Sequence, residues 1–304
     1  MDGIINVYKE AGFTSHDVVA KLRGICRQKK IGHTGTLDPQ ATGVLPVCLG
    51  SATRACEMLT DRTKEYVAEL LLGKITDTQD TTGTVLEERE VAVDEEQVRE
   101  VIGSFVGGYD QIPPMYSALK VNGKKLYELA RAGKEVERQA RHVDLPAIEI
   151  LEIRLPVVKF RVECSKGTYI RSLCADIGGK LGCGGTMQSL VRTRVGEFRL
   201  TDALTLTQLQ ELRDTGRLEE ALLPTDRIFA DFNTVHVEEK WRKLIDNGNA
   251  FYPGQTMEQT TYPVGEWVRV YREDDSFVGI YAYDGAKEWY KPVKIFPSNT
   301  ESRK

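Results

Sequence analysis

Gly32-His33-Thr34-Gly35-Thr36-Leu37-Asp38-Pro39-Gln40-Ala41-Thr42-Gly43-Val44-Leu45-Pro46-Val47-Cys48-Leu49-Gly50 joins two textures in nineteen residues. From Ile31 to Gly43 there is neither the 3.6-residue period of a helix nor the alternation of a strand. Three glycines and a proline in that span predict a loop of special backbone geometry. Val44 to Leu49 follows as a buried apolar strand. Asp38 precedes Pro39, which biases its backbone toward the extended region, and the glycines allow close approach of the chain to a ligand. A carboxylate set in such a loop can be a nucleophile, a general base or a metal ligand. Spacing alone favours an ordinary Asp-Pro turn. The loop lacks the Gly-Lys-Ser/Thr of a phosphate cradle and does not fit G-x-G-x-x-G, which argues against an NTPase.

On the N-terminal side, Gly3 to Val7 reads as a short strand. Thr14-Ser15 supplies cap candidates for a helix whose apolar face is Val18, Val19, Leu22, Ile25 and Cys26. On the C-terminal side, Glu65 to Leu72 is a strand candidate. Val157 to Ser165 is a stronger one, with Val158, Phe160, Val162 and Cys164 on one face and Lys159, Arg161 and Glu163 on the other. Gly167-Thr168 then turns the chain into a helix with the stripe Ile170, Leu173, Cys174, Ile177 and Leu181. Tyr169 and Arg171 fall at its first turn, a common place for functional side chains. From about Asn233 the texture changes to turns and β-rich runs. A short helix is expected at Glu238 to Asp246, then strands at Glu266 to Tyr271 and Phe277 to Tyr283 around an Asp274-Asp275-Ser276 turn. The boundary lies somewhere in Leu223 to Thr234.

The 304 residues are 41% hydrophobic and 28% charged, enough for a sizeable core. No apolar run approaches the ~20 residues of a spanning helix, and the N-terminus has no secretory pattern, so the expected location is the cytoplasm. The six cysteines, at 26, 48, 56, 164, 174 and 183, form no C-x-x-C pair. They predict neither a disulfide framework nor a structural metal. A net charge of −4 argues mildly against a nucleic-acid partner, but the charge is unevenly spread. Lys120, Lys124, Lys125, Arg131, Lys134, Arg138 and Arg141 face only Glu128, Glu135 and Glu137 between Ala118 and Arg141. The stretch Glu87 to Glu100 reverses that balance. A basic face can therefore coexist with an acidic total, and so can two ordinary solvated surfaces. For His33 a local hydrogen bond, and for Tyr66 and Tyr169 core packing, is the ordinary reading from the residues alone, with acid–base work and base stacking as the alternatives.

The Gly32 to Gly50 segment closely resembles the signature of the TruB family, whose members make pseudouridine at position 55 in the T arm of tRNA. Other segments follow in the family's order. They are Thr14 to Val19, Lys64-Glu65-Tyr66, Thr76 to Gly83, Gln111 to Lys120, Gly123 to Tyr127, Cys164 to Arg171 and Leu181 to Gly185. The family usually reads Lys-Pro where this chain reads Lys9-Glu10. The resemblance implies an α+β pseudouridine synthase fold with a mostly antiparallel central sheet and a small C-terminal β-barrel-like, PUA-type domain. It implies a catalytic domain over 1–230 with an RNA-gripping insertion at about 110–141, and the small domain over 231–304. It implies Asp38 as nucleophile, Arg171 as the cation that keeps it ionised, and Tyr66 as the aromatic on the target base. Tyr169 becomes a second pocket wall, Leu190 an apolar pocket residue, and Lys9 a polar support beneath. His33 takes the place of the flipped base, while Lys120, Lys124 and Lys125 meet phosphates. No cofactor or metal is implied. The expected partner is the tRNA T arm, bound by a monomer that needs no second protein and no membrane.

Overall fold

Val157–Cys164 carries the cleanest alternation in the sequence, and it shows which side of the sheet is core. Val158, Phe160, Val162 and Cys164 are at most 1% exposed, while Lys159, Arg161 and Glu163 lie on the other face and pair with Glu69, Glu149 and Arg194. The computed structural model describes residues 1–121 and 123–297; the last seven positions of the expected 231–304 unit lie outside the described residues. The first elements are β1 (Gly3–Lys9), α1 (Ser15–Ile25), β2 (Ile31–His33), β3 (Thr42–Leu49), α2 (Cys56–Thr60) and β4 (Lys64–Leu72). Then come β5 (Lys74–Thr76), β6 (Val85–Glu88), α3 (Glu95–Gly103), β7 (Tyr109–Gln111), β8 (Lys120–Val121), β9 (Lys124–Lys125), α4 (Leu126–Arg131) and β10 (Arg141–Val143). The body closes with β11 (Ala147–Arg154), β12 (Val157–Cys164), α5 (Ile170–Lys180), β13 (Gly185–Val195), β14 (Phe198–Arg199) and α6 (Leu206–Asp214). Last are β15 (Asn233–Val237), α7 (Arg242–Asp246), β16 (Trp267–Arg272), β17 (Phe277–Asp284) and β18 (Trp289–Ile295).

The central sheet runs β1-β3-β13-β4-β12-β11, with β2 paired to β3 and β14 to β13. Only the β13–β3 pairing is parallel, so the sheet is mostly antiparallel, as the resemblance implied. Helix α5 covers one face, where Ile170, Leu173, Cys174 and Ile177 pack on Ala68, Leu70, Val158 and Phe160. Each fully buried Leu, Ile, Val or Phe among them contributes roughly 1.5–3 kcal/mol. Helix α1 buries Val18, Val19, Leu22 and Ile25 against Ile5, Val7, Leu45 and Val47. Its start is the expected one: Thr14 caps it, and a capping box with Asp17 closes it, worth about 1 kcal/mol.

Three expectations need correction. The aperiodic span is shorter than Ile31 to Gly43, because Ile31–His33 zips onto the end of β3, Ile31 facing Leu49 and His33 facing Val47. The C-terminal helix is broken into a 3-10 turn at Glu239–Trp241 and a five-residue helix α7. And β13, the eleven-residue strand in the middle of the sheet, was not anticipated at all. Register shifts at Met187/Ser189 and Arg192/Arg194 interrupt its two-residue alternation, which is the signal a sequence reading relies on.

The C-terminal β unit is a four-stranded sheet, β15-β16-β17-β18, with β15 parallel to β16. Bridges from Val237 to Thr256 and from Phe251 to Tyr290 draw the intervening segment against it. It has its own core around Val235, Val268, Val270 and Tyr281. Ile280 and Phe296 instead pack toward Phe229, Val195 and Val44 of the larger body. Among the described residues, no helix is long and apolar enough to cross a membrane.

Candidate active site

The loop 34–41 hangs between β2 and β3 and is pinned from beneath. The N–H of Leu37 donates to Ser15 Oγ at 3.0 Å, and the N–H of Gly12 donates to the Pro39 carbonyl at 2.9 Å. Lys9, with no exposed surface, donates from Nζ to the carbonyls of Ala41 (2.6 Å), Pro39 (3.0 Å) and Glu10 (3.2 Å). The lysine thus reaches the loop with Glu10 in place of the usual proline, and Glu10 contributes its carbonyl to the clasp. Burial pulls the Lys9 pKa down to about 8, against the opposing charge of Asp38. Arg192 is 1% exposed and donates from Nε to the Val44 carbonyl at 2.7 Å and from Nη2 to the Gly35 carbonyl at 3.4 Å. Two buried cations therefore hold the loop by its carbonyls, which satisfies both sides of each interaction in a site where an unmet polar group is costly. Gly43 is required where β13 crosses: its φ is +106°, and a Cβ there would stand 2.2 Å from the Arg192 carbonyl oxygen.

Pinned in this way, the loop presents Asp38 to Arg171, the second residue of α5. Arg171 Nε lies 2.9 Å from Asp38 Oδ2, and Nη2 lies 3.3 Å from Oδ1, a two-point grip suited to a planar guanidinium. The arginine side chain is 6% exposed and the aspartate 40%: the cation is walled in, while the carboxylate keeps a face open. Arg171 also donates to the carbonyls of Thr78 (3.0 Å) and Tyr116 (2.9 Å). A second carboxylate, Asp80, stands 3.9 Å from the same Nε. Its other oxygen accepts from Thr78 Oγ1, the Thr82 N–H and Thr82 Oγ1, so it is fixed before any ligand arrives.

Asp38 and Asp80 border a cavity of about 400 Å³, together with Gln40, Thr82, Met187 and Leu190. Tyr66, 8% exposed, faces Arg192 across the β4–β13 ladder. It packs in one apolar cluster with Leu37, Ala41 and Leu190. Burial pushes its phenol pKa up, and the Arg192 guanidinium works against that rise. Tyr169 is the N-cap residue of α5, half-buried, with its phenol pKa also raised by burial. Asp38 and Leu190 thus line one cavity, and Arg171 grips Asp38 from behind. Tyr66 packs in the apolar cluster that includes Leu190, Tyr169 precedes Arg171 by two residues at the start of α5, and Lys9 holds the loop beneath.

His33 lies elsewhere. It meets His16 edge-on at 5.3 Å between ring centroids and lines a second cavity of about 510 Å³ with Arg23, Lys29 and Lys30. Burial lowers the pKa of His33, which favours its neutral form. Lys120, Lys124 and Lys125 are also outside the Asp38 cavity. They sit on the β8–β9 hairpin, where Lys120 faces Lys125 and the Lys125 ammonium lies over the Tyr127 ring.

Sequence reasoning missed Asp80, Arg192 and Gln111. Asp80 lies inside a segment already singled out, Thr76 to Gly83, but its arginine partner comes from a distant part of the chain, so nothing local marks it. Arg192 sits in the unanticipated strand β13, and a basic residue in a central strand gives no cue to its partners. All six cysteines are free thiols.

Sequence comparison identifies this architecture. Residues 23–170 match the model of the TruB family pseudouridylate synthase N-terminal domain, and residues 171–230 match the tRNA pseudouridylate synthase B C-terminal domain. A tRNA pseudouridine synthase B of Lachnoclostridium phytofermentans is 53% identical over 97% of this chain and 100% of its own.

The chain belongs to the TruB family of pseudouridine synthases.

It is therefore an RNA-modifying isomerase. The tRNA pseudouridine synthase B of Bacillus cytotoxicus is 40% identical to this TruB-family chain over 99% of each. Among solved structures, a Cbf5-Nop10-Gar1 complex contains a chain with TM-score 0.73 and 29% identity, covering 97% of this TruB-family chain and 84% of that one. An H/ACA RNP bound to a substrate RNA containing 2′-deoxyuridine gives the same TM-score at 27% identity.

Proposed function

We propose that this enzyme converts uridine to pseudouridine at position 55 in the T arm of tRNA, with Asp38 as the nucleophile. One observation carries the reading: an exposed carboxylate is gripped at two points by a buried guanidinium at the wall of a cavity. An ionised carboxylate oriented in this way is ready to attack an electrophilic carbon. In the reaction the N1–C1′ bond breaks as the carboxylate oxygen takes C1′. The uracil rotates within the cleft, C5 bonds to C1′ as the carboxylate leaves, and C5 loses its proton while N1 gains one.

In this reading Tyr66 forms the platform for the base and takes part in proton transfer. Tyr169 and Leu190 close the pocket sides, and Lys9 holds the loop. A target base must leave its stack at a cost of a few kcal/mol, and His33 fills the place it vacates. The basic cavity beside His33, with Arg23, Lys29 and Lys30, suits phosphates of the same arm, as do Lys120, Lys124 and Lys125 on the insertion. The insertion is about 110–141 in a catalytic unit 1–230, with 231–304 as the smaller RNA-contacting unit. In this reading the enzyme acts on the T arm as a monomer.

The test is incubation with an unmodified tRNA transcript and mapping of the product base. Pseudouridine at position 55, absent when that uridine is replaced by cytidine, is the expected result. Product only at another position, or only in ribosomal RNA, would overturn the substrate assignment.

A further inference from the structure

Gln111 is a neutral side chain buried to 1% exposure at the end of β7, at the root of the insertion. Its carboxamide pairs with both backbone groups of a single residue. Oε1 accepts from the Tyr169 N–H at 2.8 Å, and Nε2 donates to the Tyr169 carbonyl at 3.0 Å. Nε2 also donates to Tyr109 Oη at 2.5 Å, and Tyr109 in turn donates to Asp176 Oδ2 at 3.0 Å. Tyr169 is the N-cap of α5 and has no side-chain cap of its own. The strand β7 therefore grips α5 at residue 169 and again at residue 176, two turns on. Arg171 projects from the first turn so held, and one of its donors ends on the carbonyl of Tyr116 in the same insertion.

We propose that Gln111 is a positioning residue for the Arg171–Asp38 pair, tying its geometry to the seating of the insertion. The inference rests on the reading of Asp38 as the nucleophile. Gln111 touches neither the cavity nor Asp38. Its effect is to fix where α5 begins, and so the angle at which the guanidinium meets the carboxylate. A shift of the pair by about 1 Å is enough to slow chemistry on the order of a hundredfold. The insertion's grip on RNA and the alignment of the catalytic pair then share one buried amide.

The experiment compares the wild type, Gln111→Met, Gln111→Glu and Asp38→Asn on an unmodified tRNA transcript. It measures the single-turnover rate, tRNA affinity and melting temperature. Gln111→Met keeps the volume and removes the paired hydrogen bonds. Its single-turnover rate is expected to fall about tenfold or more, with tRNA affinity within about twofold of wild type. Gln111→Glu retains the acceptor for the Tyr169 N–H but, when ionised, sets a second oxygen against the Tyr169 carbonyl. Protonation restores a donor there, so its rate should recover as pH falls through a carboxyl pKa raised by burial. The wild type, with a neutral amide at this position, lacks that carboxyl step, so the variant's profile departs from the wild-type one. If Gln111→Met does not fold, the Gln111→Glu pH profile decides. Gln111 variants with wild-type rates and a pH profile parallel to wild type, beside an inactive Asp38→Asn, would overturn the proposal alone. An Asp38→Asn enzyme that still forms pseudouridine would instead remove the reading beneath it.

Discussion

Replacing Arg171 by lysine keeps the charge and removes the geometry. The guanidinium bonds to Asp38 at two points and once each to the carbonyls of Thr78 and Tyr116. A lysine ammonium has three donors on one nitrogen and cannot span those positions. Breaking a fully buried ion pair costs about 3–5 kcal/mol. Asp38 is 40% exposed, so water can solvate it in the guanidinium's place, and the pair itself accounts for about 1 kcal/mol or somewhat more. Each buried carbonyl left without a donor adds about 1 kcal/mol. The expected loss of stability is therefore about 2–4 kcal/mol, or roughly 3–6 °C in melting temperature for a chain of this size. Catalysis should suffer separately, because a pre-aligned electrostatic partner is worth about 100–1000-fold in rate. The assay is single-turnover pseudouridine formation at a temperature where circular dichroism shows both proteins fully folded. A folded Arg171→Lys enzyme with a rate within about threefold of wild type would refute the claim that the two-point grip matters.

Lys9 gives a pH signature. With a pKa near 8 in the folded chain and an ordinary value of 10.5, it loses its proton as pH rises through about 8. The loop clasp loses a donor, and the single-turnover rate should fall. Over the same window the unfolded chain holds more protons, so the contribution of Lys9 to stability rises with pH. Rate and stability should therefore diverge above pH 8, and Lys9→Arg should abolish the divergence. Gly43→Ala should cost at least about 2 kcal/mol in denaturant unfolding, from a positive φ and the clash with the Arg192 carbonyl. A Gly43→Ala protein as stable as wild type would contradict the packing described. Replacing Lys29 and Lys30, or Lys124 and Lys125, by alanine should weaken tRNA binding and lower the salt slope by about 0.7–0.9 for each phosphate no longer neutralised. The first-order rate in the bound complex should stay unchanged, and an unaltered salt slope would remove that pair from the RNA surface.

The parts of this molecule that follow simple periodicity were legible in its sequence. Strand β12 and helices α1 and α5 each bury one face, and their apolar spacing says so. The Asp38 loop was recognisable as a loop because its glycines and proline have few other uses, and Arg171 stood out at a strand-to-helix junction. What was hidden depends on interactions between distant segments. Strand β13 is bulged twice, so its alternation fails just where it crosses β3 and β4. Asp80 and Arg171 are remote in the chain and meet only after it folds back through the sheet. Lys9 entered only through the resemblance and Arg192 not at all, because the carbonyls that receive these buried cations belong mainly to a loop whose path the sequence does not specify. Gln111 looks like any polar residue before Ile112-Pro113-Pro114 until α5 is in place beside it.

The most direct test replaces the Asp38 carboxylate by an amide of nearly the same shape. The C5 hydrogen of the target uridine must leave for the new carbon–carbon bond to form, so tritium release from tRNA carrying 5-tritiated uridine reports the reaction. Asp38→Asn should bind that tRNA with wild-type affinity and release no tritium above background. Release at the wild-type rate by a folded Asp38→Asn protein would contradict the assignment of this residue as nucleophile.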